Sequence, residues 1–148
     1  MTGKWGPITW VLLHSLAEHI NEDSYLKNRT EIFKVVRGIV ENLPCPECRH
    51  HATNYFKRIH MDNYNTKQDF ILMIYNFHNA VNVSLAKPKY SVEGLEKYKK
   101  RNTKQIWTVF KIVFTSNNHS RLLSEQLSRK LVIGRIEPLI LNSDIYDI

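Results

Sequence analysis

Apolar residues recur along this chain at helical rather than strand spacing. Trp10, Leu13, Ala17 and Ile20 form a first stripe. It opens at Gly6-Pro7, and proline suits the first turn of a helix. A second stripe, Ile32, Val35, Val36, Ile39, Val40 and Leu43, predicts a helix over about residues 26–42 with a strong core face. Leu43-Pro44 ends it, and Pro46 can start the next, because proline is tolerated in a first turn. Cys48, Ala52, Tyr55, Phe56 and Ile59 share one face of that third helix, with Cys45 at its mouth. The stretch HMDNYNTKQD reads as a loop, and within it Thr66 and Asp69 resemble a capping pair. They would open a fourth helix carrying Phe70, Ile74, Phe77, Val81 and Leu85, with Pro88 after its end. Ser91 is expected to cap a fifth helix containing Leu95 and Tyr98, and Ile106, Phe110 and Val113 continue or restart it over 105–115. A further, more basic helix is expected over about 121–133. The last dozen residues carry no readable period. A soft change of composition at Ser116-Asn117-Asn118-His119 separates residues 1–115 from a C-terminal extension, 116–148.

Composition sharpens this all-α reading. Five Gly and five Pro in 148 residues leave little material for the many tight turns of a β fold. The chain length fits one domain with a sizeable core. No apolar run approaches the roughly 20 residues needed to cross a bilayer, and the N-terminal stretch MTGKWGPITW lacks the pattern of a secretory signal. The formal charge is +7, with basic residues gathered in KYKKRNTK (97–104) and at Arg121, Arg129, Lys130 and Arg135. A nucleic-acid patch is one reading of this run. A solvated helix face is the preferred one.

The two cysteines stand at C-x-x-C spacing in LPCPECRHH (43–51). Structural zinc takes four ligands, commonly from two separated pairs. Here the remaining ligands would have to be His50, His51 or the distant His60, so zinc is the weaker reading. A redox dithiol fits better. A cysteine at a helix N-terminus feels unpaired N–H groups and the positive end of the dipole, which favour thiolate. A helix precedes the pair, where a thioredoxin-like site would have a strand. Such a dithiol needs an electron acceptor. A second polar constellation, His78, Asn79 and Asn82 beside an apolar stripe and followed by Lys87-Pro88, reads as a wall for a large polar ligand. Trp10 and His14 on the first helix supply an opposing aromatic wall suited to a flat ring.

Three segments in order, GPITWVLLH (6–14), LPCPECRHH (43–51) and HNAVNVSLAKPKY (78–90), resemble the Erv/ALR family of FAD-linked sulfhydryl oxidases. The resemblance covers about residues 3–100. It implies a four-helix bundle with a short fifth helix, here followed by a C-terminal helical extension, and FAD held noncovalently at the bundle's mouth. Cys48 would sit against the flavin ring and pass electrons to it, while Cys45 exchanges with incoming thiols. Thr9, Trp10, His14, His78, Asn79, Val81, Asn82, Leu85, Lys87 and Tyr90 match positions that line FAD. Lys4 and Gly6 lie near its start, and Tyr98 matches loosely. Two positions depart from the pattern: Pro7 replaces a common Arg, and Ala86 a usual Gly. The chain has no cysteines beyond the active pair, so it resembles the compact versions from large cytoplasmic DNA viruses. The implied partners are thiol-bearing proteins or a small thioredoxin-like redox carrier, dioxygen, and a second copy in a noncovalent homodimer, with neither membrane nor nucleic acid. The implied location is the host cytoplasm or the virion. The alternative is a helical interaction module that binds zinc or nucleic acid.

Overall fold

The structure is a computed structural model that describes residues 5–116 and 122–148. Lys4, Asn117, Asn118, His119 and Arg121 lie outside the described residues. Among the described residues six α-helices follow in order: α1 Trp5–Glu18, α2 Tyr25–Val40, α3 Pro46–Lys57, α4 Lys67–Ser84, α5 Thr103–Phe114 and α6 Leu123–Ile140. The chain is all-α, and its only strand-like pairing among the described residues is an isolated antiparallel bridge between Ile20 and Tyr146.

Most of the predicted stripe residues become the core; Leu85, expected on the α4 stripe, is instead 39% exposed, because α4 ends at Ser84. Leu13 and Ala17 of α1 are buried, as are Ile32, Val35, Val36, Ile39 and Val40 of α2 and Phe70, Ile74 and Phe77 of α4. α1 packs against α4, α5 and the segment 92–100, while α2 packs against α3 and α6. The α4 start behaves as its sequence says. Thr66 accepts a hydrogen bond from the Asp69 backbone N–H, and the Asp69 carboxylate accepts from the Thr66 N–H, a reciprocal capping box.

At its other end α4 closes in a Schellman turn. The Lys87 N–H donates to the Asn82 carbonyl at 2.8 Å and the Ala86 N–H to the Val83 carbonyl at 3.1 Å. Ala86 therefore sits at φ 57°, a left-handed conformation usually left to glycine. The turn is needed because it swings the chain back toward Tyr90.

Two further expectations are corrected, and the alternative between a continued and a restarted helix over 105–115 resolves to a restart. Ser91 does not cap a fifth α-helix; its hydroxyl bonds the Glu93 carboxylate, and residues Val92–Lys100 form a 3-10 helix. α5 restarts at Thr103, with the Asn102 side chain accepting from the Gln105 N–H at 3.0 Å. The basic helix runs seven residues past its predicted end at Ile133, to Ile140, with Pro138 in its final turn. The loop over 60–69 also holds a short 3-10 turn, Met61–Asn63. The segment after α6 has a place too. Ile145 and Tyr146 are buried, the Asn21 N–H donates to the Ile145 carbonyl, and the Asp147 N–H donates to the His19 carbonyl.

Candidate active site

The redox pair is built by the α2–α3 junction. Cys45 is the N-cap of α3 and Pro46 fills its first position. Cys45 and Cys48 form a disulfide with Cα atoms 5.2 Å apart. The Cys48 backbone N–H points at Cys45 Sγ, 3.2 Å away. The unpaired donors that open a helix are thus turned on the sulfurs, which favours negative charge there once the bond is reduced. Both cysteines are half-buried. Arg49 closes the loop from behind: its N–H donates to the Cys45 carbonyl, and its guanidinium to the Leu43 carbonyl at 2.8 Å and to Glu125 of α6 at 3.2 Å.

The disulfide borders a cavity of about 370 Å³ among α1, α2, α3 and α4. Its lining is mostly apolar, with Trp5, Trp10, Leu13, Leu43 and Phe77 among the walls. Trp10 stacks on His78 with ring centroids 4.0 Å apart and 9° between planes. Lys87 brings a cation to the rim and Glu47 an anion.

Behind His78 lies a second layer. His14 Nε2 and His78 Nδ1 are 2.8 Å apart, so one imidazole donates to the other. His14 stacks in turn on Tyr98, centroids 4.8 Å apart. Burial pushes the His14 pKa down to about 3, with His78 and Lys97 adding repulsion. Burial likewise takes His78 to about 4, helped by Lys87 and Lys97. Both rings are therefore neutral at physiological pH. Tyr90 is pinned beside them: its N–H donates to Asn79 Oδ1 at 2.6 Å, and its carbonyl accepts from Tyr75 Oη at 2.8 Å and Asn79 Nδ2 at 3.3 Å. Lys97 Nζ lies 5.3 Å from the Tyr90 ring centre and 5.2 Å from that of Tyr98.

The chain matches the Erv1/Alr family over residues 7–108. It belongs to that family. The C-x-x-C disulfide is the family's redox-active motif in this chain. Among curated proteins it is 35% identical over 83 residues to the FAD-linked sulfhydryl oxidase of African swine fever virus, covering 56% of this chain and 69% of that one. It is 33% identical over 90 residues to protein 096R of invertebrate iridescent virus 3, which is provisionally named a FAD-linked sulfhydryl oxidase. That match covers 60% of this chain and 61% of the relative, so the chain spans about three fifths of that protein's length. No solved structure matches the chain significantly. α6 lies wholly beyond the segment shared with the Erv1/Alr family.

The residues that the Erv/ALR resemblance singles out fall in two shells. Cys45, Cys48, Gly6, Thr9, Trp10, His78, Val81, Asn82, Leu85 and Lys87 line the cavity. His14, Asn79, Tyr90 and Tyr98 are not in its wall. His14 and Tyr98 are buried behind His78, and Asn79 fixes Tyr90. Thr9 turns its hydroxyl back to the Trp5 carbonyl at 2.6 Å. Lining residues that sequence reasoning passed over include Trp5, Val40 and Ser84. Trp5 had a signal, an aromatic one residue before Gly6-Pro7. Val40 had none, since it also belongs to the α2 core stripe. Among the described residues no three His, Cys, Asp or Glu side chains gather as a metal site, and both cysteines are spent on the disulfide. Nor is any described helix long and apolar enough to cross a membrane.

Proposed function

We propose that this chain is a FAD-dependent thiol oxidase that makes disulfides in other proteins. The observation that carries the reading is a C-x-x-C disulfide at a helix N-terminus, opening onto an apolar cavity with an aromatic wall and a cation at its rim. Family membership supports it.

The cavity residues fit FAD chemically. A flat ring system needs an apolar slot, and Trp10, Leu13, Phe77 and Val81 border one. A pyrophosphate needs a cation, and Lys87 stands at the rim. Neutral His78 and the Asn82 amide are suited to ribose or ring-edge hydrogen bonds. When bound, FAD supplies a two-electron acceptor that returns the dithiol to the disulfide and hands the electrons to dioxygen, giving peroxide.

The chain's own residues perform the thiol exchange. A substrate thiolate attacks Cys45 Sγ, the sulfur–sulfur bond to Cys48 breaks, and a mixed disulfide forms at Cys45. Cys48 leaves as a thiolate, steadied by the N-terminal end of α3. A second substrate thiolate then attacks the mixed disulfide, releasing oxidised substrate and leaving Cys45 reduced. Two electrons have entered the protein as the two cysteine thiolates, and the two protons of the substrate thiols went to solvent when those thiols ionised. Pro46 limits how far the sulfurs part, and Arg49 holds the loop to both α2 and α6. Cys45 is assigned to exchange because it is the cap, outside the helix, where a bulky thiol can reach it.

The substrates are proposed to be protein thiols or a small thioredoxin-like carrier. The working form is a noncovalent homodimer, since both thiols are committed to the active pair. Host cytoplasm or virion is the proposed location, and residues 1–115 the proposed catalytic unit. The reading is tested by purifying the chain and feeding it dithiothreitol in air. The expected result is a yellow protein that releases flavin on denaturation and forms one peroxide per disulfide made, with turnover lost in Cys45→Ser. A colourless protein without turnover contradicts it.

A further inference from the structure

α6 is apolar on two opposite faces. Its inner face carries Val132, Ile136 and Ile140, all buried. Its outer face carries Leu123, Leu127, Leu131 and Leu141, exposed at 78%, 56%, 59% and 49%, with exposed Gly134 and Pro138 in the same stripe. A helix ordinarily packs its apolar stripe against a partner, and only the inner of these two is covered in the single chain. Each leucine leaves on the order of 100 Å² of side chain in water, a contiguous patch of the size that marks an interaction site.

We propose that this face is an isologous interface, on which α6 of one copy crosses α6 of a second copy antiparallel at Gly134. Three features single out a second copy as the occupant. The stripe is self-complementary about Gly134: Leu131 and Pro138 lie one turn to either side, and Leu127 and Leu141 two turns. A two-fold axis there sets Leu127 against Leu141 and Leu131 against Pro138, as an isologous contact requires. Gly134 itself is open, because a Cβ built on it meets nothing within 4 Å, and a glycine at the crossing lets two backbones approach closely.

Charge follows the same symmetry. Lys130 and Glu137 lie on one flank of α6, seven residues apart, and a two-fold axis between them brings Lys130 of each copy to Glu137 of the other. Glu137 already accepts from Trp107 at 2.8 Å and faces Lys111 at 2.6 Å within its own chain, so its carboxylate is held in place. The area is sufficient. Two such faces bury roughly 1,000 Å² in all, the lower bound for a specific contact. The proposal deepens the noncovalent dimer proposed above by naming its surface, and it uses a helix outside the segment shared with the family.

Sedimentation of the full chain under reducing conditions tests it, together with cross-linking of Gly134→Cys under mild oxidation. The wild type is expected at twice the chain mass. Leu131→Glu, on the outer face, is expected to weaken dimerisation at least 100-fold while leaving helical content, melting temperature and bound flavin unchanged. Gly134→Cys is expected to yield a covalent dimer from the native protein, which keeps the test open even if Leu131→Glu fails to fold. A wild-type monomer at 100-fold higher concentrations than the assay, a dimer indifferent to Leu131→Glu, or a dimer in which residue 134 does not cross-link would each overturn the proposal. Bound flavin is read in the same samples, so loss of the dimer is separable from failure of the oxidase reading.

Discussion

Ala86 carries the turn that ends α4 at φ 57°, with a Cβ where glycine would have none. A left-handed residue other than glycine costs about 1–2 kcal/mol, and glycine's greater freedom in the unfolded chain takes back part of that. Ala86→Gly should therefore stabilise the protein by about 0.5–1 kcal/mol in urea unfolding. The resemblance to the Erv/ALR family marked this position, where glycine is usual, and the backbone explains why. The histidine pair gives a second test. His14 and His78 have folded pKa values of about 3 and 4, below the unfolded value of 6.5. The unfolded chain thus takes up protons that the folded chain refuses, and stability falls as pH drops from about 6.5 toward 4. The loss between pH 7 and 4.5 should reach a few kcal/mol, and His14→Asn with His78→Asn should flatten it. Urea midpoints at the two pH values check this. An unchanged slope in the double variant would mean that other groups set the acid limit. Sequence reasoning placed His14 in the cavity wall because it lies one turn beyond Trp10. Its position behind His78 depends on a hydrogen bond between residues 64 apart, which no local pattern encodes.

At the scale of elements, α1 to α4 were legible because each carries apolar residues at helical spacing, most of them turned to the core and the rest to the cavity. The segment 92–100 was not. Leu95 and Tyr98 are three residues apart, a spacing that suits a 3-10 turn as well as an α-helix. The basic helix expected to end at about Ile133 runs on to Ile140 through Gly134 and Pro138, two residue types that disfavour a helix interior. Pro138 has no N–H to give the Gly134 carbonyl, and packing of Val132 and Ile136 on α2 carries the helix past both. That packing depends on Gly38, where a Cβ would stand 3.1 Å from Ile136 Cγ2 and 3.4 Å from Val132 Cγ1. Gly38→Val should push α6 off α2 and cost about 1–3 kcal/mol from overpacking. Thermal melts should show the loss, and Ile136→Ala in the same chain should restore part of it. A Gly38→Val protein as stable as wild type would mean that α6 does not sit where the structure has it.

Across the whole molecule, the C-terminal residues that carried no period are tied by non-local contacts to His19, Ile20 and Asn21, just after α1. Tyr146 is buried and pairs with Ile20, a partnership visible only once the chain is folded. The basic run 97–104 stays on the surface apart from Tyr98 and Thr103, although Lys97 also leans over the tyrosines behind the cavity. The candidate site was legible for a different reason from the fold. Its cysteines, histidines and asparagines sit in three short segments that carry the Erv/ALR resemblance, so they are recognisable without the fold. The central claim is that Cys48 is the sulfur beside the flavin and Cys45 the one that meets substrate. The visible absorption spectrum of Cys45→Ser tests it most directly. The remaining Cys48 thiolate should give a long-wavelength band on top of ordinary flavin absorption, in a protein that no longer turns over. A Cys45→Ser protein that holds flavin without that band, while Cys48→Ser shows it, would contradict the account.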